Sequence, residues 1–135
     1  MPYSHEVEIF VRLCETDAIG HVNNTSHFRY FEEARGKFFN VIYPDRSSSF
    51  NLIIASIKCD YKQQAFAGQI LTVITNIERI GNKSFTVTQL LKSKDSQAII
   101  AKSELVLVCY DNLKGISIPI PEQLRKNLEI QLSYN

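Results

Sequence analysis

The sequence predicts an α+β domain of two layers, one long amphipathic helix packed against one antiparallel sheet. Three observations carry this. Apolar side chains recur three or four apart through Phe28, Phe31, Ala34, Phe38 and Ile42. Four β-rich runs without proline follow one another at roughly 52–62, 70–80, 84–93 and 97–110, joined by links too short to hold crossover helices. A chain of 135 residues, 44% of them apolar, is long enough for one core and too short for two domains.

The elements follow in order. Residues 5–13 alternate, with Val7, Ile9, Val11 and Leu13 on one face and Glu6, Glu8 and Arg12 on the other, the period of a half-buried strand. A polar loop runs from Glu15 to about Asn24. The long helix comes next, with Asn24 or Thr25 as its cap, Arg29, Glu33, Lys37 and Asn40 on its wet side, and Pro44 ending it. Asp45 to Asn51 is a short loop, so residues 1–135 form a single domain. Gly81-Asn82 joins the second and third β-runs as a tight hairpin, and Lys94-Asp95-Ser96 joins the third and fourth. The run 97–110 is the longest and is expected at the centre of the sheet. Pro119-Ile120-Pro121 stops extension, and a second helix opens at Pro121-Glu122-Gln123 with Leu124, Leu128 and Leu132 on one side. Five strands around one helix leave apolar edges, above all on the 97–110 run, and pairing with a second copy would cover them.

Composition excludes several roles. Fifteen Lys+Arg against fourteen Asp+Glu leave a net charge of +1 and no basic stripe for nucleic-acid phosphates. Cys14, Cys59 and Cys109 lie far apart without a Cys-x-x-Cys pair, so neither a disulfide framework nor a zinc site is expected; Cys14 could act as a nucleophile served by His21, but its place at a strand end reads as a small buried side chain. Met1 to Glu6 lacks the pattern of a signal peptide, and no apolar run approaches the ~20 residues that span a bilayer. A reducing, cytoplasmic location without membrane contact is expected.

The chemistry concentrates in Glu15-Thr16-Asp17-Ala18-Ile19-Gly20-His21-Val22-Asn23-Asn24, just ahead of the long helix. A carboxylate, an imidazole and two amides beside a helix start, whose backbone N–H groups favour developing negative charge, suit a hydrolytic site. Asp17 is the candidate base or nucleophile; its structural alternative is a turn aspartate holding backbone amides. His21 could polarise a carbonyl, orient Asp17 or bond a backbone carbonyl. Asn23 and Asn24 read as turn and cap residues, and Gly20 as a position where a Cβ is unwelcome. Phe28, Tyr30, Phe31 and Tyr61 could line an acyl channel, or serve as core. Asp17 and His21 alone are too few to hold a metal.

The run Asp-x-x-Gly-His-Val-Asn-Asn, followed by Arg29-Tyr30-Phe31-Glu32-Glu33-Ala34-Arg35, resembles the hotdog-fold acyl-CoA thioesterases of the 4-hydroxybenzoyl-CoA thioesterase type. The resemblance extends over nearly the whole chain. It implies a five- or six-stranded antiparallel sheet wrapped round one long helix, an obligate dimer often paired into a tetramer, and thioester hydrolysis with acyl-CoA as substrate and no cofactor or metal. It places Asp17 and His21 in the catalytic group, with Gly20, Asn23, Asn24, His27 and Tyr61 binding substrate. Two positions depart from the family pattern: His27 stands where many relatives carry Tyr, and Gln64 with Gly68-Gln69 stands where the later turn usually reads Pro, then Gly-Asp. Two alternatives are a non-catalytic acyl-thioester binding protein and an enoyl-thioester hydratase. The hydratase pattern sets Asp and His five apart around Asn-Pro, whereas Asp17 and His21 are four apart.

Overall fold

In a computed structural model, which describes residues 5–44 and 50–134, the leading alternation forms strand β1 (His5–Phe10), its Val7 and Ile9 buried and its Glu6 and Glu8 in water. Helix α1 (Asn24–Ile42) follows, then strands β2 (Phe50–Tyr61), β3 (Ile70–Ile80), β4 (Ser84–Ser93), β5 (Ile99–Asp111) and the two-residue β6 (Ile116–Ser117), and helix α2 (Glu122–Tyr134). The sheet has six strands in the order β1-β3-β4-β5-β2, all antiparallel, with β6 paired to β5. Since β1 and β2 are the two edges, α1 carries the chain across the sheet and buries Phe31, Ala34 and Phe38 against it. This is the α+β, hotdog-like architecture that the pattern and the resemblance imply.

The interior holds two apolar clusters. One gathers Val7, Ile9, Phe31, Leu71 and Leu91 near the start of α1. The other gathers Phe38, Phe85, Leu105, Leu124 and Leu128, so the predicted leucine face of α2 closes the far end. A polar row crosses the sheet between them: Thr75, Gln89 and Ser103 are successive cross-strand neighbours on β3, β4 and β5, all buried. Gln89 Nε2 donates to Phe31 O at 2.9 Å and to Thr75 Oγ1 at 3.1 Å, while its Oε1 accepts from Arg35 Nη1 at 3.1 Å. Arg125 pins α2 by donating to Gly81 O and Asn82 O, and Asn127 Nδ2 donates to Ile42 O at 2.5 Å, ending α1.

Several expectations are corrected. β1 stops at Phe10 because Arg12 N bonds back to Glu15 Oε1, turning Leu13–Glu15 into a 3-10 turn that leaves Leu13 75% exposed and Cys14 exposed rather than buried. The cap of α1 is Asn23, ahead of the expected Asn24 or Thr25, since its Oδ1 accepts Ser26 N at 2.8 Å. The longest strand is not central: consecutive hairpins place β4 in the middle, and β5 takes β2 on its outer side. Accordingly the wet apolar edge is β2, not the 97–110 run, which alternates as β5. The expected loop at 45–51 lies outside the described residues except for Phe50 and Asn51, which belong to β2.

Candidate active site

The loop from β1 to α1 is tied down at both ends. Val11 exchanges backbone bonds with the turn after β2, donating to Gln69 O and accepting from Gly68 N. Glu15 then links loop to helix: its carboxylate accepts from Arg12 N at 2.8 Å, the Arg12 guanidinium at 3.0 Å and Tyr30 Oη at 2.8 Å. Burial alone would raise the Glu15 carboxyl, but these donors hold it below its ordinary value. Burial, then the same bond to Glu15, pushes the Tyr30 phenol well above its ordinary value, so it stays neutral.

Asp17 sits at the tip of this loop in a closed turn. Its N–H donates to His21 O at 2.9 Å, its carbonyl accepts Gly20 N at 3.0 Å, and its Oδ1 accepts Ile19 N at 3.1 Å. Gly20 makes the turn with φ +86°, a left-handed conformation that a side chain would strain. The carboxylate is exposed, and its second oxygen has no hydrogen-bond partner among the described residues. His21, half-buried, bridges to Phe66, with the two rings edge-on at 4.9 Å. Val22 N donates to Ala65 O at 2.8 Å, which docks the loop on the turn after β2.

The helix start adjoins this turn. Ser26 N is satisfied by Asn23, while the amides of Asn24 and Thr25, the first two of the helix, have no partner among the described residues. Here α1 and the end of β2 enclose a cavity of about 310 Å³ lined by Asn24, His27, Tyr61, Lys62, Gln63 and Gln64, with Val22. Of the expected binding residues, Asn24, His27 and Tyr61 meet in this cavity. Asn23 caps the helix, and Asp17, Gly20 and His21 stand on the adjoining loop without lining it. Lys62 and Gln63 escaped the sequence reading; the polar run following Tyr61 at the end of a β-run was their signal. Both are fixed by backbone bonds to Ile100 O. A second groove of about 300 Å³ lies between α1 and β2, walled by Phe28, Ile54 and Ile57 with Arg35. Phe31, by contrast, is core.

Among the described residues, no group of three or more His, Cys, Asp or Glu could hold a metal ion, and no helix is long and apolar enough to cross a membrane.

A family model described as the thioesterase-like superfamily matches residues 11–128. A solved protein of Bacillus stearothermophilus, described as a predicted thioesterase, is 33% identical and superposes with a TM-score of 0.84, covering 96% of this chain and 97% of that one. The long-chain acyl-CoA thioesterase FadM of Escherichia coli (strain K12) is 24% identical over 132 residues, 92% of this chain and 96% of that protein. The SAV2348 protein of Staphylococcus aureus, solved in complex with CoA, shares the fold at a TM-score of 0.91 and 14% identity, covering 100% of this chain and 87% of that one.

Proposed function

Because the chain belongs to the thioesterase-like superfamily and is a thioester hydrolase by that membership, we propose that it cleaves acyl-CoA to free acid and coenzyme A, with Asp17 as general base or nucleophile. The observation that supports this is the presentation of Asp17. A turn closed by His21 O and Gly20 N holds an exposed carboxylate on the loop that leads into a helix start with two unspent amides, where a polar cavity opens.

As base, Asp17 takes a proton from water, the hydroxide adds to the thioester carbonyl, and the tetrahedral intermediate expels the coenzyme A thiolate. As nucleophile, the carboxylate itself displaces the thiolate, and water then hydrolyses the anhydride. In either course the Asn24 and Thr25 amides are the donors suited to the oxyanion. His21 acts as a positioning residue, its carbonyl holding the Asp17 amide. Asn24, His27 and Tyr61 bind the thioester arm, Asn23 and Gly20 shape the site, and Phe28, Ile54 and Ile57 offer the acyl group an apolar wall.

The working unit in this reading is a homodimer, with a tetramer as its further assembly. β2 is an unpaired edge of twelve residues on which Ile53, Ile54 and Ile57 are exposed, and a second copy continuing the sheet there would roof the groove. Residues 1–135 act as one domain, and the cytoplasm is the compartment in which exposed Cys14 stays reduced. The test is thiol release from a panel of acyl-CoAs with the acid quantified in parallel. Equimolar acid and thiol are expected; tight acyl-CoA binding without release would make the protein a binder instead.

A further inference from the structure

His27 is one of the positions at which this chain departs from the family pattern, and its ring brings a second, buried nitrogen to the wall of the cavity. The imidazole is 5% exposed, and Nδ1 lies 3.0 Å from Asn23 O. A carbonyl oxygen only accepts, so the proton sits on Nδ1 and Nε2 carries a bare lone pair. Nε2 is buried and has no hydrogen-bond partner among the described residues. An acceptor closed off from water in this way is destabilising unless something donates to it. The ring lines the cavity beside the helix start, where the half-exposed Tyr61 stands edge-on to it with centroids 5.0 Å apart.

We propose that His27 Nε2 is the hydrogen-bond acceptor for an amide N–H of the pantetheine arm, reached when the occupant of the cavity displaces the Tyr61 ring. This rests on the acyl-CoA reading and adds to it. A bare nitrogen cannot polarise the thioester carbonyl, which needs a donor. A role on the attacking water is disfavoured because Asp17 and His21 do not line this cavity. The pantetheine arm carries two secondary amides, and the amide side chains of Asn24, Gln63 and Gln64 around the same space suit such groups.

The bond exists only while the imidazole is neutral. Burial lowers the His27 pKa from the ordinary 6.5, and the bond to Asn23 O acts in the opposite sense. The ionisable groups facing the ring are Tyr61 and Lys62 at the end of β2 and Tyr30 on α1, which is bonded to Glu15; both phenols are raised and stay neutral. Protonation turns Nε2 into a donor, so binding weakens as pH falls through the lowered pKa and is constant above it.

The test is calorimetric titration with CoA between about pH 5 and pH 8 on the full chain, its H27Q and H27F variants, and 15N-histidine spectra of the parent. H27Q keeps an acceptor and H27F keeps the ring. The expected result is an Nε2 resonance of the unprotonated type that shifts on CoA binding. H27F should bind CoA about tenfold more weakly and raise KM about tenfold with kcat little changed, and H27Q should bind within about threefold of the parent and without its acid limb. CoA binding with Nε2 unmoved, H27F binding as the parent does, or a fall in kcat at constant KM would each overturn the assignment of His27 alone. A parent that binds no CoA would overturn the substrate reading together with it.

Discussion

Gln89→Leu probes the polar row that divides the core. The glutamine oxygen accepts from the buried Arg35 guanidinium, which is 9% exposed and forms no ion pair within 4.0 Å among the described residues. Losing a hydrogen bond to a charged, buried group costs about 1.5–3 kcal/mol. Thr75 Oγ1 also loses a donor, for a further ~1 kcal/mol, whereas Phe31 O loses little because it is a helix carbonyl. Leucine nearly matches glutamine in volume, so no cavity term is added, and the expected destabilisation is about 3 kcal/mol. In urea unfolding this moves the midpoint by about 1 M or more at the usual slopes. Arg35→Leu on the Gln89→Leu background removes the stranded charge, so the pair should be less destabilised than the sum of the two single changes. A Gln89→Leu protein within ~1 kcal/mol of the parent, or strictly additive losses, would refute this account of the row.

Tyr30→Phe should destabilise by about 1 kcal/mol at neutral pH by removing the donor to Glu15. Because the folded carboxyl is depressed, its contribution is present above the unfolded pKa and lost as pH falls through the folded one, so parent and variant should converge in urea midpoint in acid. Gly20→Ala meets no atom within 4 Å but must hold φ +86°; it should cost about 1 kcal/mol in thermal or urea unfolding and lower kcat by misplacing Asp17. Ile54→Lys with Ile57→Lys should shift the protein towards monomer in sedimentation and reduce activity with it, whereas an unaltered oligomer would move the interface elsewhere.

The helix and the hairpin strands were legible because their periodicity is written in side chains that the structure buries: Phe31, Ala34 and Phe38 on α1, and Leu124 and Leu128 on α2. What escaped was decided by particular hydrogen bonds, some local and some between distant residues, rather than by apolar periodicity. The 3-10 turn that exposes Leu13 and Cys14 depends on Glu15 gathering Arg12 and Tyr30, and no local apolar pattern announces it. Strand order was misread from length, since the longest run sits beside the edge and hairpin succession places β4 in the middle. At the site, the loop around Asp17 and the helix start were evident from residue types. Lys62 and Gln63 enter the cavity only because Ile100 O fixes the turn after β2, and the bare Nε2 of His27 follows from a carbonyl four residues back.

In the proposed reaction the carboxylate of Asp17 drives thioester hydrolysis. The direct measurement is kcat/KM for thiol release from the preferred acyl-CoA, on the parent and on Asp17→Asn, with circular dichroism and sedimentation recorded for both. Asparagine can still accept Ile19 N, so the turn should hold, while base and nucleophile are both gone. A loss on the order of 10²-fold or more is expected, with fold and assembly unchanged. A folded Asp17→Asn protein working within about threefold of the parent would contradict it, leaving Asp17 a turn residue and the chemistry elsewhere.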